Sequence, residues 1–143
     1  MKEKTKMPEE RTFTVATDEA LANLIQQARQ RIVFIAPGIS EAVAKALGVR
    51  LNEEDALSIT VILDADPEVC RLGLGSLEGL TLLKEYSDQN CFALRCQPGV
   101  RIGVLIADDK TLIYSPTPLL VEAGSTSVEK PNAIMLTGGD VKN

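Results

Sequence analysis

Four groups of residues in this chain have the types and spacing to support chemistry. Asp64 and Asp66 stand two apart in Asp64-Ala-Asp66-Pro67-Glu68, directly after the apolar run Ile59–Leu63. Carboxylates so placed at the end of a strand can hold Mg²⁺ for phosphoryl transfer, and Asp108-Asp109, after another apolar run, can add ligands. A Mg-dependent phosphohydrolase built on Asp64 and Asp66 is therefore one reading; a solvated loop leaving a strand is the other. Gly73-Leu-Gly75-Ser-Leu-Glu-Gly79 has the glycine density of a phosphate loop without its Gly-Lys-Ser/Thr ending, and reads equally as a turn entering a helix. Ser76 and Ser115 are potential nucleophiles with no histidine to activate them, because the 143 residues contain none. That absence excludes a Ser-His-Asp triad, a histidine base, phosphohistidine catalysis and imidazole metal ligation. The fourth group is cationic: Arg95, Arg101 and Lys110 can bind phosphate or nucleic acid if the strands bring them to one face.

The charge balance bears on that last group. Net charge is −5, and four of the 15 basic residues lie in the first eleven positions. From residue 12 onward, 11 basic residues face 17 acidic ones. A phosphate backbone meets net repulsion from such a body, so nucleic acid is a disfavoured partner. Aromatic residues are 3% of the chain, with no Trp, leaving few platforms for base stacking. The three cysteines, Cys70, Cys91 and Cys96, make an odd set. Cys91 and Cys96 are too far apart for a tight chelating pair, so packing thiols in a reduced, cytoplasmic compartment are expected. No cofactor is implied. No apolar run approaches 18 residues, and no membrane span is expected.

The elements that must position these groups follow from periodicity. Apolar residues are 45% of the chain, enough for one domain with an aliphatic core. Residues 1–11 read as a disordered tail, 12–136 as the folded domain, and 137–143 as a tail or the cut edge of a longer protein. Thr12–Val15 alternates weakly, as a strand does. Asp18 is placed to cap a helix through Arg29, with Leu21, Leu24, Ile25 and Ala28 on one stripe. Ile32–Ala36 and Ile59–Leu63 are continuously apolar, as expected of strands covered on both faces. Ser40 caps a second helix that Gly48 is placed to end, ahead of an acidic loop over Asn52–Asp55. A third helix is expected over Ser76–Glu85. Strands at Phe92–Arg95, Ile102–Ala107 and Thr111–Tyr114 then follow without helices, with Asp109-Lys110 as a turn. Residues 116–131 read as loop and Ala133–Leu136 as a last strand. The sum is an α/β fold, a mixed sheet with helices on both faces.

The stretch Gly99–Leu119, GVRIGVLIADDKTLIYSPTPL, resembles the active-site segment of the phospholipase D superfamily. That motif reads His-x-Lys, four residues, Asp, six residues, Gly-Ser, then an Asn and a Leu. Arg101 stands at the histidine, Gly103 at the lysine and Asp108 at the aspartate. Ser115 and Pro116 replace Gly-Ser, Pro118 takes the asparagine position, and Leu119 agrees. The order of elements from Thr12 onward is also similar to one half of that fold.

The resemblance implies a phospholipase D-like half-domain emptied of its reaction. In that family one histidine attacks phosphorus and lysines hold the phosphate oxygens. A guanidinium stays protonated and cannot attack, and glycine supplies no cation. The first reading is thus a catalytically inactive module serving assembly or binding within a larger protein. Active members unite two copies of the motif, so a homodimer with the Arg101 edge in its interface is expected, or contact with another protein domain. The alternative is phosphate or nucleic-acid binding at the vestigial pocket through Arg101, Arg95 and Lys110. In a third, structural reading, Arg101 pairs with Asp108 or another acid.

Overall fold

The computed structural model describes residues 10–53, 57–64, 66–71, 74–90, 92–116 and 131–138. In chain order the elements are β1 (Glu10–Thr14), α1 (Asp18–Gln27), β2 (Arg31–Ala36), α2 (Glu41–Glu53), β3 (Ser58–Leu63), α3 (Pro67–Arg71), α4 (Leu77–Asn90), β4 (Ala93–Cys96), β5 (Gly103–Ala107), β6 (Lys110–Tyr114) and β7 (Ala133–Thr137). Seven strands form one sheet in the order β1-β7-β6-β5-β2-β3-β4. β2, β3 and β4 run parallel, whereas β5, β6 and β7 alternate in direction. This is the mixed α/β sheet expected from the sequence.

The direction of winding decides where the helices lie. Four antiparallel steps separate β1 from β2 across the sheet, so these two strands are parallel. The crossovers from β1 to β2, β2 to β3 and β3 to β4 therefore all proceed the same way along the sheet. Right-handed crossovers in one direction place α1, α2 and α4 on one face. Packing agrees: Leu21 and Ile25 of α1, Val43 and Leu47 of α2 and Leu83 of α4 share one buried cluster with Ile32, Phe34, Val61, Leu105 and Leu112. Truncating Phe34, Ile25 or Leu47, each fully buried, costs roughly 2–5 kcal/mol.

The expectation of a mixed sheet flanked by helices is met on the face that carries this cluster. Among the described residues α1, α2 and α4 all pack on this one face, while alternate residues of the strands point to the other. That face is apolar too. Phe13, Ile134, Ile113, Val104, Ile35 and Ile62 are successive partners across six neighbouring strands, so they form one row. A parallel row two residues along runs Leu136, Thr111, Ile106, Val33 and Thr60. None of these side chains belongs to the buried cluster or packs against it.

Several local expectations also change. Thr17, rather than Asp18, caps α1, its hydroxyl accepting the Ala20 N–H at 3.1 Å. Gly48 sits inside α2, which runs on to Glu53, because the Tyr86 ring occupies the space where a Cβ would stand. α4 extends to Asn90, and the β5–β6 turn is Asp108-Asp109. β1 starts at Glu10 and β7 ends at Thr137. Cys96, expected among packing thiols, ends edge strand β4 and is exposed. Cys91 lies outside the described residues, as do Gly73, most of the 116–131 segment and, with it, Pro118.

Candidate functional site

The strand order brings Asp64 and Arg101 together. Asp64 directly follows β3, and Arg101 stands two residues before β5, which runs antiparallel to β2. Both therefore lie at the end of the sheet where the parallel strands finish. Arg101 Nη1 donates to Asp64 Oδ2 at 2.5 Å, and the Gly99 N–H donates to the same oxygen at 3.1 Å. The Asp64 side chain is 4% exposed and that of Arg101 46%. Arg101's hydrogen bond holds the Asp64 carboxyl below the usual carboxylate range, against the opposing effect of burial, with help from the Gly99 N–H and the Arg101 charge. Arg101 also donates to the Val100 carbonyl at 2.7 Å. The pairing of Arg101 with an acid is thus real, and the acid is Asp64 rather than Asp108.

Gly103 opens β5 opposite Tyr114, the last residue of β6. A Cβ at position 103 would lie 2.2 Å from Tyr114 Cζ, so the tyrosine ring occupies the space any side chain there would need. Burial, with the nearby Asp18 charge, drives the Tyr114 hydroxyl's pKa upward. It stays a neutral phenol and is no general base at neutral pH.

Ser115 and Pro116 follow at the same end. The Ser115 N–H donates to the Asn132 carbonyl at 2.9 Å. Asn132 closes this corner: its Oδ1 accepts the Ala16 N–H at 2.8 Å, and its Nδ2 donates to the carbonyls of Ala16 and Ser115 at 3.4 and 3.3 Å. It ties the exits of β1 and β6 to the entry of β7. The sequence offers no signal for this role beyond an amide just before a strand.

The remaining predicted residues do not join the site. Asp108 is at the opposite end of β5, where its carboxylate accepts the N–H groups of Arg29, Gln30 and Arg31 at 2.8, 2.7 and 3.1 Å. Burial works against its ionisation, yet those three donors together with the Arg29 charge hold its pKa low. Lys110 opens β6 at that same far end, so it shares no patch with Arg101. Arg95 is the register partner of Ile62 and extends the apolar row at the β4 edge.

Asp66 does not pair with Asp64 as a ligand set. Its Oδ1 accepts the Glu68 N–H at 3.0 Å and starts α3, a short helix within the stretch read as a solvated loop leaving the strand. Among the described residues, no group of three or more His, Cys, Asp or Glu is arranged to hold a metal ion. The glycines at 75 and 79 serve packing: a Cβ at Gly79 would lie 2.5 Å from the Ile39 carbonyl oxygen, and the Ser76 N–H donates to that same oxygen. They let α4 seat directly on the segment that enters α2.

Chemically, the assembled residues are a self-neutralised ion pair, a covered glycine, a neutral phenol and an unactivated serine. Among the described residues no helix is long and apolar enough to cross a membrane.

No family model matches the chain, and no curated protein sequence does. Solved structures do match. Nuc from Salmonella typhimurium, a phospholipase D family member, superposes with a TM-score of 0.62 at 13% identity, over 91% of this chain and 84% of Nuc. The phosphatidylserine synthase of Haemophilus influenzae Rd KW20 matches at a TM-score of 0.56 and 14% identity, over 85% of this chain and 31% of the synthase. TrmBL2, an archaeal chromatin protein described as having a novel mode of DNA binding, matches at 0.55 and 9%, over 92% of this chain and 46% of TrmBL2. The chain thus spans less than half of TrmBL2 and under a third of the synthase. Its mixed seven-stranded sheet is similar in fold to phospholipase D family structures.

Proposed function

We propose that this chain is a catalytically inactive phospholipase D-like module that works by assembly, within a homo-oligomer or a larger protein. The observation that carries the reading is the Arg101–Asp64 ion pair at the sheet end where the motif resemblance puts the nucleophile. A guanidinium held by a buried carboxylate neither attacks phosphorus nor leaves a base free to activate water. Tyr114 over Gly103 supports the same conclusion, since a phosphate-holding lysine has no room there.

Two measurements test it. Incubation with a chromogenic phosphodiester is expected to give no hydrolysis above buffer; turnover abolished by Arg101→Gln would overturn the inactive assignment. Light scattering across a concentration series is expected to give a mass above one chain. A monomer throughout would overturn the homo-oligomer and leave packing against another domain or protein as the assembly role.

The likeness to TrmBL2 favours a second reading, contact with DNA or another phosphate ligand. The net charge of −5 and the neutralisation of Arg101 by Asp64 weigh against it. Binding of a short DNA duplex that weakens with salt and is lost in Arg101→Ala would restore it.

A further inference from the structure

We infer that the cleft where the end of α1 meets the last turns of α2 binds a small phosphomonoester, at the opposite end of the sheet from Arg101. α1 closes at Gln27 and the chain enters β2 at Arg31, while Arg50 lies near the end of α2. Gln26, Gln27, Ala28, Arg29 and Arg50 line a cavity of about 310 Å³ between them. Clefts that hold small molecules begin at about 300 Å³, which suits a phosphate group with a small organic part rather than a nucleic-acid duplex.

Charge and donor chemistry select that ligand. The described lining carries two guanidiniums and two carboxamides and no carboxylate. Arg50 is half-buried, and its Nη2 donates to the Ala28 carbonyl at 2.7 Å. That bond covers a carbonyl at the negative end of α1 and fixes the guanidinium plane, so an anion finds the fork already set. Arg29 is exposed at the rim, and its backbone N–H, bonded to Asp108 Oδ2 at 2.8 Å, anchors the base of the side chain. The Asp108 carboxylate is itself committed to three backbone donors. By register Lys110 shares the helix-covered face with Ile32 and Ala107 and adds a third cation at this end. The net charge of −5 is a whole-surface sum, whereas one phosphate group senses the charges within a Debye length of about 8–10 Å.

The test titrates the full chain with inorganic phosphate, glycerol phosphate and glycerol in low-salt buffer, read by amide NMR and calorimetry. Both phosphates are expected to bind with a dissociation constant of about 1 mM or tighter and to shift the amides of Gln26–Arg29, while glycerol does neither. Binding should weaken as salt rises. Arg29→Gln is expected to weaken it at least about 10-fold. Gln26→Glu, which sets a carboxylate in the cleft from an exposed helix position, is expected to abolish it. Far-UV circular dichroism checks that both variants fold. No binding to the wild type up to about 20 mM, or binding that survives both variants, overturns the site. Binding lost in Arg101→Gln but kept in Arg29→Gln also overturns it and moves the phosphate to the ion pair with Asp64. Glycerol phosphate bound at least about 10-fold more weakly than inorganic phosphate overturns the organic ligand.

Discussion

Replacing Asp108 separates what a carboxylate contributes from what a backbone conformation contributes. Asp108 has φ +57°, in the left-handed region, and its two oxygens accept three consecutive backbone N–H groups from the α1–β2 connection. Each charge-assisted bond is worth about 1.5–3 kcal/mol in general. Here the site is partly open to water, which screens the charge and re-solvates the donors, so the three together are worth about 2–3 kcal/mol. Ala at positive φ adds about 1 kcal/mol of strain. Asp108→Ala is therefore expected to cost about 3–4 kcal/mol, and Asp108→Gly about 1 kcal/mol less. Asp108→Asn, which tolerates the conformation and keeps one oxygen, should cost about 1–2 kcal/mol. Urea unfolding followed by circular dichroism at pH 7 measures all three.

The pH dependence follows from the same bonds. Asp108's pKa is lower folded than unfolded. Its contribution is complete above the unfolded value near 3.9 and is lost as pH falls through the lowered folded value. Asp108→Asn should flatten the acid limb of the stability curve, leaving the share due to Asp64. Full stability of Asp108→Gly at pH 7 would refute the reasoning, because backbone conformation alone would then explain the aspartate.

Three further outcomes are expected. Gly103→Ala forces a Cβ into the Tyr114 ring and should cost about 2–4 kcal/mol in thermal unfolding; Gly103→Lys alone should be worse and should add no phosphate site. Asn132→Ala removes the side chain that links Ala16 and Ser115, costing about 1.5–3 kcal/mol with no dependence on pH between 5 and 9. In Arg101→Gln the Asp64 carboxyl loses its cation, and its NMR titration should move upward from below the ordinary carboxylate range, since burial is then opposed chiefly by the Gly99 N–H.

What the sequence showed and hid divides by range. Ile32–Ala36 and Ile59–Leu63 announce themselves as strands because a run of branched aliphatic residues fits a pleated, buried ladder. Which face α1, α2 and α4 cover depends on the sense of three crossovers, and periodicity carries no such information. Gly48 reads as a stop only until Tyr86, 38 residues later, is known to lie against it. Arg101's acid was foreseen as a type but not as Asp64, because the pairing requires knowing that β5 lies beside β2. Asp108 and Lys110 looked like parts of one site with Arg101, yet a five-residue strand carries them to the far end of the sheet. Asn132 bonds Ala16 across 116 residues, a contact no local pattern encodes.

That long reach has a consequence for how the molecule is made. Among the described residues, β1 has one strand partner, β7, with Phe13 opposite Ile134. β1 must wait for β7, more than a hundred residues later in the chain, before this ladder can close. Until residues 133–137 emerge, β1 offers bare hydrogen-bonding groups and an exposed phenylalanine to any neighbouring strand. Sheet closure is thus the slow, high-contact-order event, and a nascent chain stalled before Ala133 is the species most prone to aggregate.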